Sequence, residues 1–207
     1  KTAVPLVAAQ DHKRAHDGDK GPNTGGMGAY SPTPAAPQSV VDQAMSEMIL
    51  PTLETLEEAG APFSGVLYAG LMIDKGKARL IEYNVRFGDP ECQIIMMRMQ
   101  SDIVPYLKAC AAGNLGQMPP IDWDDRPAVT VVMAAKGYPG NYEKGTEIKG
   151  LDAANALDGV TVFHAGTTTG ADGKILPGAI RQAYAAVDMI DWPEGFCRRD
   201  IGWRAQT

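Results

Sequence analysis

Alternation of apolar and polar positions is clearest between residues 65 and 85. Residues 65–73 and 78–85 each read as a strand, and Asp74-Lys75-Gly76-Lys77 between them is short, polar and glycine-containing. The pattern predicts a hairpin. Upstream, Val41, Met45, Met48 and Ile49 recur at helical spacing after Ser39, a residue type that caps helices. Pro51 is expected to kink or restart this helix, whose second part carries Leu53 and Leu56 and stops at Gly60. After the hairpin, Pro90 marks a helix start, with Ile94, Ile95, Met97 and Met99 as its apolar body. A further helix is predicted from Ser101 to Ala112, closed by Gly113. Residues 11–38 follow neither period. Crowded with Gly, Pro, Asp and Asn, they are expected to form one long, exposed loop with little regular structure.

The character of the chain changes over residues 114–127, with Pro119-Pro120, Trp123 and further Asp. A domain boundary is therefore placed between 117 and 118. Beyond it, residues 128–135, 147–149 and 160–164 read as short strands and residues 181–190 as a helix. The expected organisation is α+β: residues 1–117 form one domain and 118–207 a small, mostly-β one. The opening Lys1-Thr2-Ala3-Val4-Pro5-Leu6-Val7 reads as the tail of a strand without an initiator Met, so the chain is expected to be a piece of something longer.

Composition narrows the function. A formal charge of −6 leaves no basic surplus to neutralise phosphates, which argues against a general nucleic-acid binder. No apolar run is long enough to span a bilayer, and residues 1–30 do not read as a charged start followed by an apolar signal segment. Cys92, Cys110 and Cys197 lack any CxxC pairing, which suits neither a disulfide framework nor a zinc site and fits a reducing cytoplasm.

Chemistry concentrates in two places. Along Leu80-Ile81-Glu82-Tyr83-Asn84-Val85-Arg86, alternation puts Glu82, Asn84 and, one step on, Arg86 on one face. Ile81, Tyr83 and Val85 are expected on the other, the core face. A carboxylate and an amide oxygen side by side suit a hard cation such as Mg²⁺, although alternation alone favours a plain solvated strand face. Phe87-Gly88-Asp89-Pro90-Glu91 then turns directly into a helix, whose N-terminal N–H groups attract anions or are simply capped by the local acids. The second place runs from Asp11-His12-Lys13-Arg14 to Gly21-Pro22-Asn23-Thr24-Gly25-Gly26-Met27-Gly28. Three glycines in four residues allow close backbone approach and an N–H nest, and Lys13 and Arg14 can supply positive charge for a phosphate. As pure composition, a flexible turn is the default. No Gly-Lys-Ser/Thr follows, so this is not a Walker loop, and a His12/His16 zinc pair does not suit a glycine-rich, non-helical setting.

These motifs, together with Asn84-Val85-Arg86-Phe87-Gly88-Asp89-Pro90-Glu91, Val132-Met133-Ala134-Ala135-Lys136-Gly137-Tyr138-Pro139-Gly140, Phe163-His164-Ala165-Gly166-Thr167 and Asp200-Ile201-Gly202-Trp203-Arg204, resemble the glycinamide ribonucleotide synthetase family of the ATP-grasp superfamily. The resemblance runs in order over nearly the whole chain. It implies the C-terminal half of an ATP-grasp fold. The implied activity is a ligase of de novo purine biosynthesis that joins glycine to 5-phosphoribosylamine with ATP through glycyl phosphate. It further implies Glu82 and Asn84 as ligands of Mg²⁺ or Mn²⁺ on the ATP phosphates, and Arg86 as a catalytic cation. Asp11, Lys13, Asn23, Thr24, Gly25, Gly26, Gly28 and Asp89 are placed around the substrates.

The sequence departs from that family in two respects. The N-terminal domain and the first half of the ATP-grasp fold are not in the chain. At Leu176-Pro177-Gly178-Ala179-Ile180-Arg181 a Gly-Gly-Arg-Val strand is missing before the helix, a gap near residues 178–181. The 207 residues alone are therefore expected to be inactive. Another ATP-grasp enzyme, such as a purine carboxylase, is the competing reading of the metal strand; an inert fragment of the ligase is the competing reading of the chain.

Overall fold

A computed structural model describes residues 2–167 and 180–205. Residues 11–38, expected as a loop, instead contain four short strands: β1 (Gln10–Asp11), β2 (Arg14–His16), β3 (Lys20–Asn23) and β4 (Gly28–Ser31). Each is only two to four residues long, too short to display a period. Their partners come from the fold. β2 pairs with β3, while β4 pairs with β1 and with β7 (Ala128–Val131), giving a three-stranded antiparallel sheet ordered β1-β4-β7. Gly28 stands opposite Val131, a pairing that no local signal could announce.

The chain divides into two units: residues 1–9, 32–88 and 95–126 in the first, and 10–31, 89–94 and 127–207 in the second. In the first, α1 (Gln38–Ala44) runs through a wider π-helical turn, Met45–Ile49, into α2 (Leu50–Glu58). Pro51 follows closely on the wider π-helical turn, a local change of helical winding that lets the segment continue past a residue without an N–H. Gly60 ends the segment at φ +74. Ser39 does not cap α1. Pro37 holds the N-cap position with no side-chain bond. The hairpin is β5 (Tyr68–Asp74) with β6 (Lys77–Asn84). It packs on the helical segment: the Ala78 amide donates to Gln43 Oε1 at 3.0 Å, and the Thr52 and Tyr83 hydroxyls lie 3.1 Å apart. Val40, Ala44, Leu53 and Ala78 form the buried apolar set.

The helix α3 (Glu91–Arg98) begins one residue after Pro90, as its position predicts. The next helix, α4 (Ile103–Ala111), is capped by Asp102, whose carboxylate accepts from the Val104 amide at 2.9 Å. Ser101, the expected cap, instead accepts from the Asp122 amide at 2.9 Å.

The expectation of mostly-β structure after residue 117 fails among the described residues. Strands there are β7, β8 (Ala134–Ala135) and β9 (Gly195–Phe196), four, two and two residues long. They are outweighed by the helices α5 (Leu151–Asn155) and α6 (Ile180–Met189), five and ten residues long. Of residues 147–149 only Lys149 forms a bridge, to Asp191, and residues 160–164 form no strand. Val160 and Val162 bury against Ala154, Leu157, Ala186 and Ile190, so apolar positions that suggested a strand are satisfied by packing on helices. The second unit becomes strand-rich only by taking in residues 10–31. The gap near 178–181 begins at residues 178 and 179, outside the described residues.

Candidate functional site

Glu82 and Asn84 do share a face. Asn84 Nδ2 donates to Glu82 Oε1 at 3.2 Å, which leaves the Asn84 amide oxygen and the second carboxylate oxygen as free-facing acceptors. The ladder pairs Gly70 with Glu82 and Tyr68 with Asn84, so these four residues line one surface of the hairpin. Gly70 leaves that surface open, since a Cβ there would meet Glu82 Cγ at 3.1 Å. The opposite face is not the expected core of Ile81, Tyr83 and Val85. Between Gly70 and Leu71 the register shifts and Ile81 is left without a partner, a bulge that flips the alternation. Ile81 is 62% and Val85 73% exposed, and of the three only Tyr83 reaches the helices, through Thr52.

Hard oxygen donors beside a cradle that a side chain would fill fit Mg²⁺ or Mn²⁺, which retain water and phosphate oxygens as further ligands. Among the described residues no cluster of three or more His, Cys, Asp or Glu offers a rival metal site. Arg86 lies just past β6, exposed, and donates from Nη1 to the Phe87 carbonyl at 2.7 Å. Asp89 is also exposed, and its Oδ1 accepts from Gln93 Nε2 at 2.8 Å.

In the second unit, the glycine-rich segment is not an open nest. The amides of Thr24 to Met27 are all engaged: Thr24 with the Lys13 carbonyl at 2.7 Å, and Gly25 with Tyr138 Oη at 3.2 Å. Gly26 donates to Thr24 Oγ1 at 3.1 Å and Met27 to the His12 carbonyl at 2.9 Å. Gly26 and Gly28 are buried, against the expectation of an exposed loop. Gly26, at φ +147, is wedged between Pro90 Cδ and Asp11 Oδ1. Gly28, at φ +150, faces the Thr130 carbonyl and Ile201. These two glycines are demanded by packing. Gly25 and Asn23 are exposed, and Asn23 closes β3 opposite Arg14.

Asp11 and Lys13 form the charged part of this segment. Asp11 Oδ2 lies 2.5 Å from Lys13 Nζ, Asp11 Oδ1 accepts from the His12 amide at 2.6 Å, and Lys13 Nζ donates to the Gly25 carbonyl at 2.9 Å. Burial pushes the Asp11 carboxyl up to about 6, against the downward pull of Lys13. His12 is 1% exposed, and neither ring nitrogen has a hydrogen-bond partner among the described residues. Burial and the charge of Arg198 lower its pKa, so the ring stays neutral.

Sequence reasoning missed three features. Gly70 is the empty partner of Glu82. Tyr138 lies 113 residues from the amide it accepts from. Arg198, fully buried, donates to Asp19 Oδ1 at 2.8 Å and in a fork to both Asp200 oxygens at 2.7 and 2.6 Å, while Arg204 also pairs with Asp19. The cross-strand position of Gly70 could be read once the hairpin is drawn; Tyr138, Asp200 and Arg204 fall in the family-like stretches 132–140 and 200–204, but nothing local there announced these partners.

Comparison with known proteins gives two consecutive family matches. Residues 1–92 match a domain described as "Phosphoribosylglycinamide synthetase, ATP-grasp (A) domain", and residues 128–204 one described as "Phosphoribosylglycinamide synthetase, C domain". A phosphoribosylamine–glycine ligase of Brucella melitensis biotype 1 is 51% identical over 221 positions, covering 99% of this chain and 51% of the relative. Those 221 positions exceed the chain's 207 residues, so the relative holds residues inside the matched stretch that this chain lacks. One of Vigna unguiculata is 47% identical, covering 95% of this chain and 69% of the relative. The crystal structure of the Thermotoga maritima phosphoribosylamine–glycine ligase superposes with a TM-score of 0.78 at 33% identity, covering 95% of this chain and 51% of that one. The chain thus spans about half the length of the Brucella and Thermotoga proteins.

Proposed function

The chain belongs to the phosphoribosylglycinamide synthetase family, and on that premise we propose that it is the C-terminal portion of an ATP-grasp ligase joining glycine to 5-phosphoribosylamine. The observation that carries the reading is the succession of both family domains along one chain, with Glu82 and Asn84 paired on an open strand face in the first of them. In this reading the glycine carboxylate attacks the γ-phosphate of ATP, and ADP leaves. The amine of phosphoribosylamine then attacks the acyl phosphate, and inorganic phosphate leaves with glycinamide ribonucleotide formed.

Both steps bring anions together, so positioning and charge carry the catalysis, and no covalent nucleophile is required. Glu82 and Asn84 are the residues that would hold Mg²⁺ or Mn²⁺, which when bound neutralises charge on the transferring phosphoryl group. The Arg86 guanidinium stands two residues beyond Asn84 and is exposed enough to turn from the Phe87 carbonyl to a phosphate oxygen. Asp11, Lys13, Asn23, Thr24 and the glycines at 25, 26 and 28 shape the substrate segment, and Asp89 stands at its edge. The part of the relatives that this chain does not span would supply the rest of the ATP site. A reducing, cytoplasmic setting goes with this reading, and Cys92, Cys110 and Cys197 are free.

The test is a coupled ADP-release assay on a longer protein that joins this chain to the part of its relatives that it does not span. Release that depends on both glycine and phosphoribosylamine, and that is lost in Glu82→Ala with the fold intact, is the expected result. Release that depends on bicarbonate instead of glycine would move the protein to a carboxylase, and full activity in Glu82→Ala would remove that residue from the metal site.

A further inference from the structure

A recess of about 730 Å³ opens in the second unit between β2, β3 and the turn that follows β8. It is lined by His16, Pro22, Lys136, Tyr138 and Phe196, with Gly137, Pro139 and Gly140 completing the turn. Its chemistry is one-sided. Two basic side chains face it and none of the lining residues is acidic. The Lys136 ammonium makes no ion pair or side-chain hydrogen bond among the described residues, unlike that of Lys13, which is paired with Asp11. The walls are flat: the His16 and Phe196 rings lie 5.9 Å apart at 55°, and Tyr138 meets Tyr142 edge to face at 6.3 Å. Gly21 presses its bare backbone against the His16 ring, where a Cβ would come within 2.6 Å.

A second observation points the same way. The Gly25 amide, on the exposed part of the glycine-rich segment, is engaged by the Tyr138 hydroxyl oxygen at 3.2 Å. It is the amide among residues 24 to 27 whose acceptor comes from a recess wall; the others are bonded within residues 12 to 24. An oxygen acceptor from outside the protein can replace the hydroxyl there at little cost, since the bond exchanged is of the same kind.

We propose that this recess binds a small organic oxyanion, a phosphate or carboxylate borne on a flat body, with its charge toward Lys136 and His16 and its body against Phe196 and Tyr138. The charge supplies orientation and the rings supply burial. Occupancy reaches the glycine-rich segment through Tyr138, because the same side chain lines the recess and holds Gly25. The inference uses no part of the ligase reading, and a binding assay without ATP or turnover tests it separately.

Amide NMR of the isotope-labelled chain, titrated with phenyl phosphate, benzoate, inorganic phosphate and phenol, decides it. Phenyl phosphate or benzoate should give saturable shifts centred on Gly25, Gly137 and Gly140, and whichever binds more tightly identifies the acid group. Inorganic phosphate should bind more weakly because it lacks the flat body. Lys136→Ala should weaken binding about tenfold, as expected for one charge-assisted hydrogen bond, without moving the melting temperature, because Lys136 is exposed. The inference is overturned if neither aryl acid saturates, if phenol binds as well as they do, or if Lys136→Ala and His16→Ala both leave the affinity unchanged.

Discussion

The Cβ that Gly70 lacks would stand 3.1 Å from Cγ of Glu82, its partner across the hairpin. That vacancy lets the Glu82 side chain lie over β5 while it accepts from Asn84. Gly70→Ala introduces no positive-φ strain and removes some backbone freedom from the unfolded chain. Its stability should therefore change by less than about 1 kcal/mol. Glu82, however, must turn away. If the proposed ligase reading holds, the extended protein of the ADP-release assay should need more Mn²⁺ for half-maximal release, with Gly70→Val worse than Gly70→Ala. A metal titration that superposes on the parent's would show that Glu82 does not depend on the space beside it.

Gly25 and Gly26 are neighbours with opposite tolerances. At Gly25 a Cβ would make an ordinary 3.5 Å contact with the Tyr138 hydroxyl. At Gly26 it would be driven into Pro90 and to 2.9 Å from Asp11 Oδ1, on a backbone at φ +147. Chemical denaturation should show a loss of more than about 2 kcal/mol for Gly26→Ala and less than about 0.5 kcal/mol for Gly25→Ala. Equal losses would mean that the segment relaxes away from Pro90.

Asp11 ties stability to pH. Its carboxyl has a pKa of about 6 in the fold, chiefly through burial, against 3.8 in the unfolded chain. Between those values the folded state holds a proton that the unfolded state has released. Its contribution to stability is therefore fully present below about pH 4, falls as pH rises to about 6 and is constant above. The size is about 3 kcal/mol. Asp11→Asn should flatten that slope in a pH series of denaturation curves. A parent protein with no decline between pH 4 and 6 would show that Lys13 outweighs burial.

Arg198 is buried with its charge answered by Asp19 and Asp200, and it ties the β2–β3 hairpin to the end of the chain. Asp200→Ala leaves the guanidinium fork half empty and should cost about 3 kcal/mol or more. Asp200→Asn keeps an acceptor in place and should cost less. Thermal melts of the two variants compare them directly, and equal losses would place the effect in packing rather than in the ion pair.

The sequence alone determined the elements whose signals are local. Period-two alternation around a Gly-containing turn is enough for β5 and β6, a proline and apolar spacing for α3, and helical spacing closed by a left-handed glycine for α2. It also determined that Glu82 and Asn84 are on one side, because two residues two apart on a strand have little choice. Long motifs in order carried the family. Tertiary structure decided what depends on a distant partner. A bulge opposite Gly70 and Leu71 put Ile81 in solvent, and the β4–β7 ladder turned an expected loop into sheet. Pro90, Thr130 and Ile201 closed around Gly26 and Gly28, making packing positions of residues that looked like an open nest. Burial, which raises Asp11, and the hydroxyl of Tyr138 on Gly25 are likewise set by residues far along the chain. Periodicity divides an element into two faces; it carries no record of the bulge or the remote segment that decides which face is covered, as Ile81 and Val85 show.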